Sequence, residues 1–95
     1  MPYDPAKDIF ATHASDSAGP ARNAVAVTPS DSTDLPAYAK ALYVGVSGAL
    51  VVVPVGASTD AGVTFANCPV GWLPVQARRV LATGTTAGQI VALIG

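Results

Sequence analysis

The chain has 95 residues, 51% of them hydrophobic and 12% charged, with five Lys plus Arg against six Asp and no Glu, for a formal net charge of −1. That length allows one domain and excludes a multidomain enzyme, and without a basic excess nucleic acid is not expected as a partner. Nine Gly and eight Pro in a chain rich in Ala and Val favour short extended runs broken by turns, so the expected fold class is all-β, a small antiparallel β-sandwich or barrel.

Residues 1–23 read as an extended N-terminal arm. They hold Pro2, Pro5 and Pro20 and the charged residues Asp4, Lys7, Asp8, Asp16 and Arg22, without apolar periodicity. Tyr3, Ile9 and Phe10 are large apolar groups that gain by docking on the domain's own flank or on a neighbouring chain; with Arg22 they are candidate partner contacts. The arm has no apolar core of the signal-peptide kind. The most apolar stretch, 41–55, is interrupted by Gly45, Ser47, Gly48 and Pro54, so no membrane association is expected.

Residues 24–95 form the expected β domain. Six β-prone runs follow one another: Ala24 to Thr28, Ala41 to Val46, Ala49 to Val55, Val63 to Cys68, Val75 to Ala82 and Gln89 to Ile94. Ser47-Gly48 between two Val-rich runs predicts a tight hairpin, 56–62 a polar loop, and 83–88 a Gly/Thr turn. SDSTDLP, residues 30–36, is the one long polar connection, and Pro36 to Lys40 could form a single helical turn. Core candidates are Val44, Val46, Leu50, Val52, Phe65, Val80, Leu81, Ile90 and Leu93. Both faces of 41–46 and of 49–55 are apolar, and strands apolar on both sides must be covered on both sides. A six-stranded domain has too little material for that, so self-association or docking on a large partner is implied.

Catalytic chemistry finds little purchase. His13 is the sole imidazole, beside Ser15 and Asp16 in the arm, where a base would lack preorganisation. Asp31 and Asp34 form the one close carboxylate pair, and capping of a Ser/Thr-rich turn explains them better than acid/base work; with Ser32 and Thr33 they offer hard oxygens, but without the spacing of a Ca²⁺ loop. One Cys and one His cannot build a zinc site, so Cys68 reads as a small core residue, and no metal or cofactor is expected. ATGTTAG, 82–88, lacks the GK[ST] ending of a phosphate loop. Arg78 and Arg79, adjacent on a strand, should leave opposite faces, either one solvated and one paired with an Asp, or with a role at an interface. Trp72 in CPVGWLP either closes the end of the core or anchors a contact, closure being favoured. Asp31, Asp34, Arg78 and Arg79 are the best candidates for charged contacts to a neighbour.

The stretches ARNAVAVTPSDSTDLP (21–36), ALYVGVSGALVVV (41–53), VTF (63–65) and PVQARRVLATGTTAGQIVAL (74–93), taken in order, resemble the head-spike base and capsid-decorating (cement) proteins of gene transfer agents and tailed bacteriophages. The resemblance implies a non-catalytic virion structural protein, made in the bacterial host cytoplasm and bound to the capsid exterior. Its implied partners are the major capsid protein, further copies of itself in a cyclic homo-oligomer, trimer or pentamer, and a head-fibre protein. Read from its residues alone, the chain could instead be a small carbohydrate-binding β module, with Trp72, Tyr38 and Tyr43 stacking on sugar rings; a paucity of aromatics, 6%, makes that the weaker reading.

Overall fold

In a computed structural model, which describes residues 4–8 and 19–95, the chain folds as a β-sandwich. Its strands are β1 (Asn23–Ala26), β2 (Ala41–Val46), β3 (Gly48–Pro54), β4 (Val63–Cys68), β5 (Gly71–Leu73), β6 (Ala77–Val80) and β7 (Gly88–Ile94). One sheet has the order β1-β7-β2-β5 and the other β4-β3-β6, with antiparallel neighbours throughout. The six expected runs all become strands, within two residues at each end, because Val, Ile, Leu and Tyr in alternation suit a pleated surface and Gly or Pro bounds each run. β1 starts at Asn23, the last residue of the stretch read as the arm.

The core lies between the sheets. Leu42, Val44, Ile90 and Ala92 from one meet Leu50, Val52, Cys68, Ala77 and Val80 from the other, with Val27, Leu35, Phe65 and Leu73 packed at its margin. Leu42, Leu50, Val44, Val52 and Val80 are fully buried, each contributing roughly 1.5–3 kcal/mol of transfer free energy. Four expected core residues differ. Val46 ends β2 at a corner and stays 50% exposed. Leu93 lies between the inward-facing Ala92 and Ile94 positions and faces outward, paired with Ala24 and Ala41. Phe65 and Leu81 are only partly buried, Leu81 because it packs outside the sandwich over Val51.

Ser47-Gly48 is not a hairpin. β2 is flanked by β7 and β5, and β3 by β4 and β6, so the two strands sit in different sheets and the link is a corner that crosses the sandwich. Gly48 fits that corner because a Cβ there would lie 2.8 Å from the backbone N of Ala87 and from Thr86 Oγ1. Nor does Pro36 to Lys40 form a helical turn. The connection from β1 to β2 runs as a strap along the outer edge of β6: Ser30 N–H donates to Val80 O (2.8 Å), Leu35 N–H to Arg78 O (2.9 Å), and Ala39 and Ala77 exchange backbone bonds (2.9 and 3.0 Å). Backbone pairing with β6 outcompetes a local turn, and it protects an edge that would otherwise be open.

The β4-β3-β6 sheet is covered on its outer side by the chain itself. Val51 and Val53 alternate with the core residues Leu50 and Val52 yet are buried, and the loop at Gly62 passes so close that a Cβ would meet Val51 Cγ1 at 2.4 Å and Leu81 Cδ1 at 2.8 Å. Thr85 and Thr86 Oγ1 accept from Val51 N–H (3.1 Å) and Ala49 N–H (2.9 Å), pinning the 83–88 turn against β3. The expectation that both sheets need outside cover is therefore corrected: two loops cover β3 in one of them, and among the described residues no such loop lies over the β1-β7-β2-β5 sheet.

Candidate functional site

Arg78 and Arg79 do not diverge. Val53 pairs with Arg79 and Pro54 with Ala77, so one step along β3 spans two along β6, and Arg78 is the extra residue of a β-bulge. A bulge breaks strict alternation, which lets both guanidinium groups reach Asp34. Arg79 Nε donates to Asp34 Oδ1 at 2.7 Å; Arg78 Nη1 lies 3.4 Å from the same oxygen and donates to Asp60 Oδ1 at 2.7 Å. Arg78 also donates to Thr59 O (3.1 Å) and Arg79 to Asp31 O (3.2 Å). Asp31, in turn, accepts from Thr83 N–H (2.9 Å) and Thr83 Oγ1 (2.6 Å), and Tyr38 O–H donates to Asp34 Oδ2 (3.3 Å).

These contacts make an ionic clamp that joins the strap, the 56–62 loop, β6 and the 83–88 turn. The Thr83 hydroxyl and N–H hold the Asp31 carboxyl below its ordinary value of 3.8. For Asp34, desolvation pushes the other way, but the hydrogen bonds and charges of Arg79 and Arg78 outweigh it and the pKa is lowered. Arg78 is raised, chiefly by its bond to Asp60. Sequence reasoning named Asp31, Asp34, Arg78 and Arg79 together, and the structure brings all four into one cluster within a single chain. It missed Asp60 and Thr83, for which β-bulge pairing and loop packing left no sequence signal.

The second feature is the outer face of the β1-β7-β2-β5 sheet. Register places Ala24 and Ala26 of β1, Gln89, Val91 and Leu93 of β7, Ala41, Tyr43 and Gly45 of β2, and Trp72 of β5 on it. Trp72 is 67% exposed, so it does not close the core; it stands edge-on against Tyr43, ring centroids 4.8 Å apart at 61°. CPVGWLP, which reads as a turn, holds the three-residue strand that carries it. Tyr38 sits elsewhere, on the strap beside Asp34, so the three aromatics expected to form a sugar platform are split between two sites. A cleft of about 420 Å³, with Val25, Val27, Leu35, Val80, Ala92 and Ile94 among its lining residues, opens between β1 and the strap.

Other candidates resolve simply. Cys68 is buried in the core and forms no disulfide, as a small core residue is expected to be. The carboxylates of Asp31 and Asp34 are each committed to protein donors, and among the described residues no group of three metal-ligating side chains converges. In the arm, Pro5–Lys7 forms a single 3₁₀ turn capped by the Asp4 carboxylate, which accepts from Ala6 N–H at 3.0 Å. Asp8 pairs with Arg22, and Lys40 Nζ donates to Gly19 O at 3.4 Å. Tyr3, Ile9, Phe10 and His13 lie outside the described residues.

No family model and no curated protein matches the chain. Among solved structures, a chain of the particle described as "Capsid of native GTA particle computed with C5 symmetry", GTA denoting a gene transfer agent, is 42% identical to it with a TM-score of 0.78. The match covers 90% of this chain and 98% of that one. The chain belongs to the family of that capsid component. It is thus a virion structural protein by family, with the sandwich, the strap and the open sheet as this member's version of the capsid-component fold.

Proposed function

We propose that the protein is a non-catalytic decorating protein that binds the outside of a bacteriophage-type capsid and adds contacts between shell subunits. The observation that carries this reading is the 42% identity with a capsid-particle chain over 98% of that chain's length. Two features of the fold support it. The polar groups Asp31, Asp34, Arg78 and Arg79 are used to clamp loops together, and the β1-β7-β2-β5 sheet leaves one broad apolar face to meet a partner.

The major capsid protein is the proposed partner. Copies of the chain acting together, as a cyclic trimer or pentamer, would raise avidity without tight single-site binding, and a ring of this kind is a suitable base for a head fibre. The arm, residues 1–23, is proposed to add to attachment. The test is to mix the purified protein with capsid shells made without it and to pellet the shells. Saturable co-pelleting is expected; protein that stays in the supernatant at every concentration refutes the proposal.

A further inference from the structure

We infer that the outer face of the β1-β7-β2-β5 sheet, anchored by Trp72, is the surface that seats on the shell, and that its occupant is an uncharged, apolar patch of a shell subunit. The inference rests on the decorating role proposed above.

Charge is the first argument. Eleven residues of the chain are charged, yet none of the nine outward positions of this sheet, 24, 26, 41, 43, 45, 72, 89, 91 and 93, carries a charge. A sheet face that stays in water alternates apolar-in with polar-out, whereas here the outward set is Ala, Tyr, Gly, Trp, Val and Leu with Gln89 as its one polar amide. Within residues 19–95 the charges lie elsewhere: Asp31, Asp34, Asp60, Arg78 and Arg79 by the strap and the other sheet, Arg22 and Lys40 immediately before β1 and β2. A charged partner surface would lose hydration on this face with nothing to pair against, so the matching partner is uncharged.

Geometry fixes the mode of contact. The edge beside Trp72 is β5, three residues long and bounded by Pro69 and Pro74, which suits it poorly to strand addition, so the partner meets the face rather than the edge. Ala24 and Ala26 make the β1 edge low, while the Tyr43–Trp72 pair stands up on the β5 side as a raised aromatic anchor, the residue type that dominates interface energetics. Two copies packed through this face would hide it from any shell.

The experiment compares wild type with Trp72→Ala, Ala26→Lys and Val63→Ala in the pelleting titration, with melting temperature and sedimentation velocity recorded for each. Trp72 and Ala26 are exposed and their loss leaves the core intact; Val63, 51% exposed on β4 of the other sheet, is the control. The expected result is a fall in apparent shell affinity of at least roughly 30-fold for Trp72→Ala and Ala26→Lys, with Val63→Ala unchanged. Wild-type affinity in both face variants overturns this inference and leaves the decorating role standing. Wild-type protein that does not pellet overturns the decorating role itself. A wild-type oligomer that Trp72→Ala turns into monomer, with shell binding retained, assigns the face to a second copy and overturns the shell as occupant.

Discussion

Two adjacent arginines on one strand meet the same aspartate because the strand carries one residue too many. The bulge at Arg78 is what turns a solvated pair into a clamp, and Asp34 is its hub. Asp34→Ala is expected to lower the melting temperature more than Asp60→Ala, because Asp60 is 66% exposed and Arg78 keeps Asp34 when it is lost; thermal denaturation of the two variants checks the order. Acid should act on the same clamp. Asp31 and Asp34 have folded pKa values below the ordinary 3.8, so their contribution to stability is fully present above that value and is lost as pH falls through it towards the folded pKa. Denaturant midpoints should therefore be flat with respect to this clamp from neutral pH to about 5 and fall below about 4, less so in Asp31→Asn. Residue types at the clamp were legible in the sequence; their convergence was not, since strict strand alternation sends Arg78 and Arg79 apart and only the pairing of Val53 and Pro54 reveals the extra residue.

At the level of elements, Val-rich runs between glycines and prolines announced six strands, and the structure has them. β5 carries no strand signal because the four residues between Pro69 and Pro74, with Gly71 at φ +137°, have the chemistry of a turn. The Ser47-Gly48 link resembles a hairpin turn for a different reason. A two-residue connection says how far apart two strand ends lie, not whether the strands pair, and here the edges of both strands are taken by others. The 83–88 turn proves to be a fastening: Val51 N–H, partly buried, donates to Thr85 Oγ1. Thr85→Val keeps the shape and leaves that N–H unpaired, which should cost about 1–3 kcal/mol in chemical denaturation. Gly62→Ala should cost a similar amount, about 1–3 kcal/mol, by pressing the roof loop into Val51 and Leu81.

The whole molecule is a sandwich with unequal outsides. One sheet is roofed by its own loops and braced by the ionic clamp; the other shows an uncharged face with Trp72 standing on it. Stability rests on a thin core, so Leu50→Ala, which empties a fully buried site, should remove about 2–5 kcal/mol, a large share of the 5–15 kcal/mol typical of a small domain, and an equilibrium unfolding curve will show it. Both-face apolar patterning pointed to an external partner, and the structure narrows that need to one sheet. The measurement that bears most directly on this account is a cryo-electron microscopy map of capsids decorated with the protein. The account predicts density for the sandwich on the outer shell surface, with the β1-β7-β2-β5 sheet turned to the shell and Trp72 buried against it. A map with no sandwich density on the shell, or with the clamp and roof loops turned inward and Trp72 facing solvent, would contradict it.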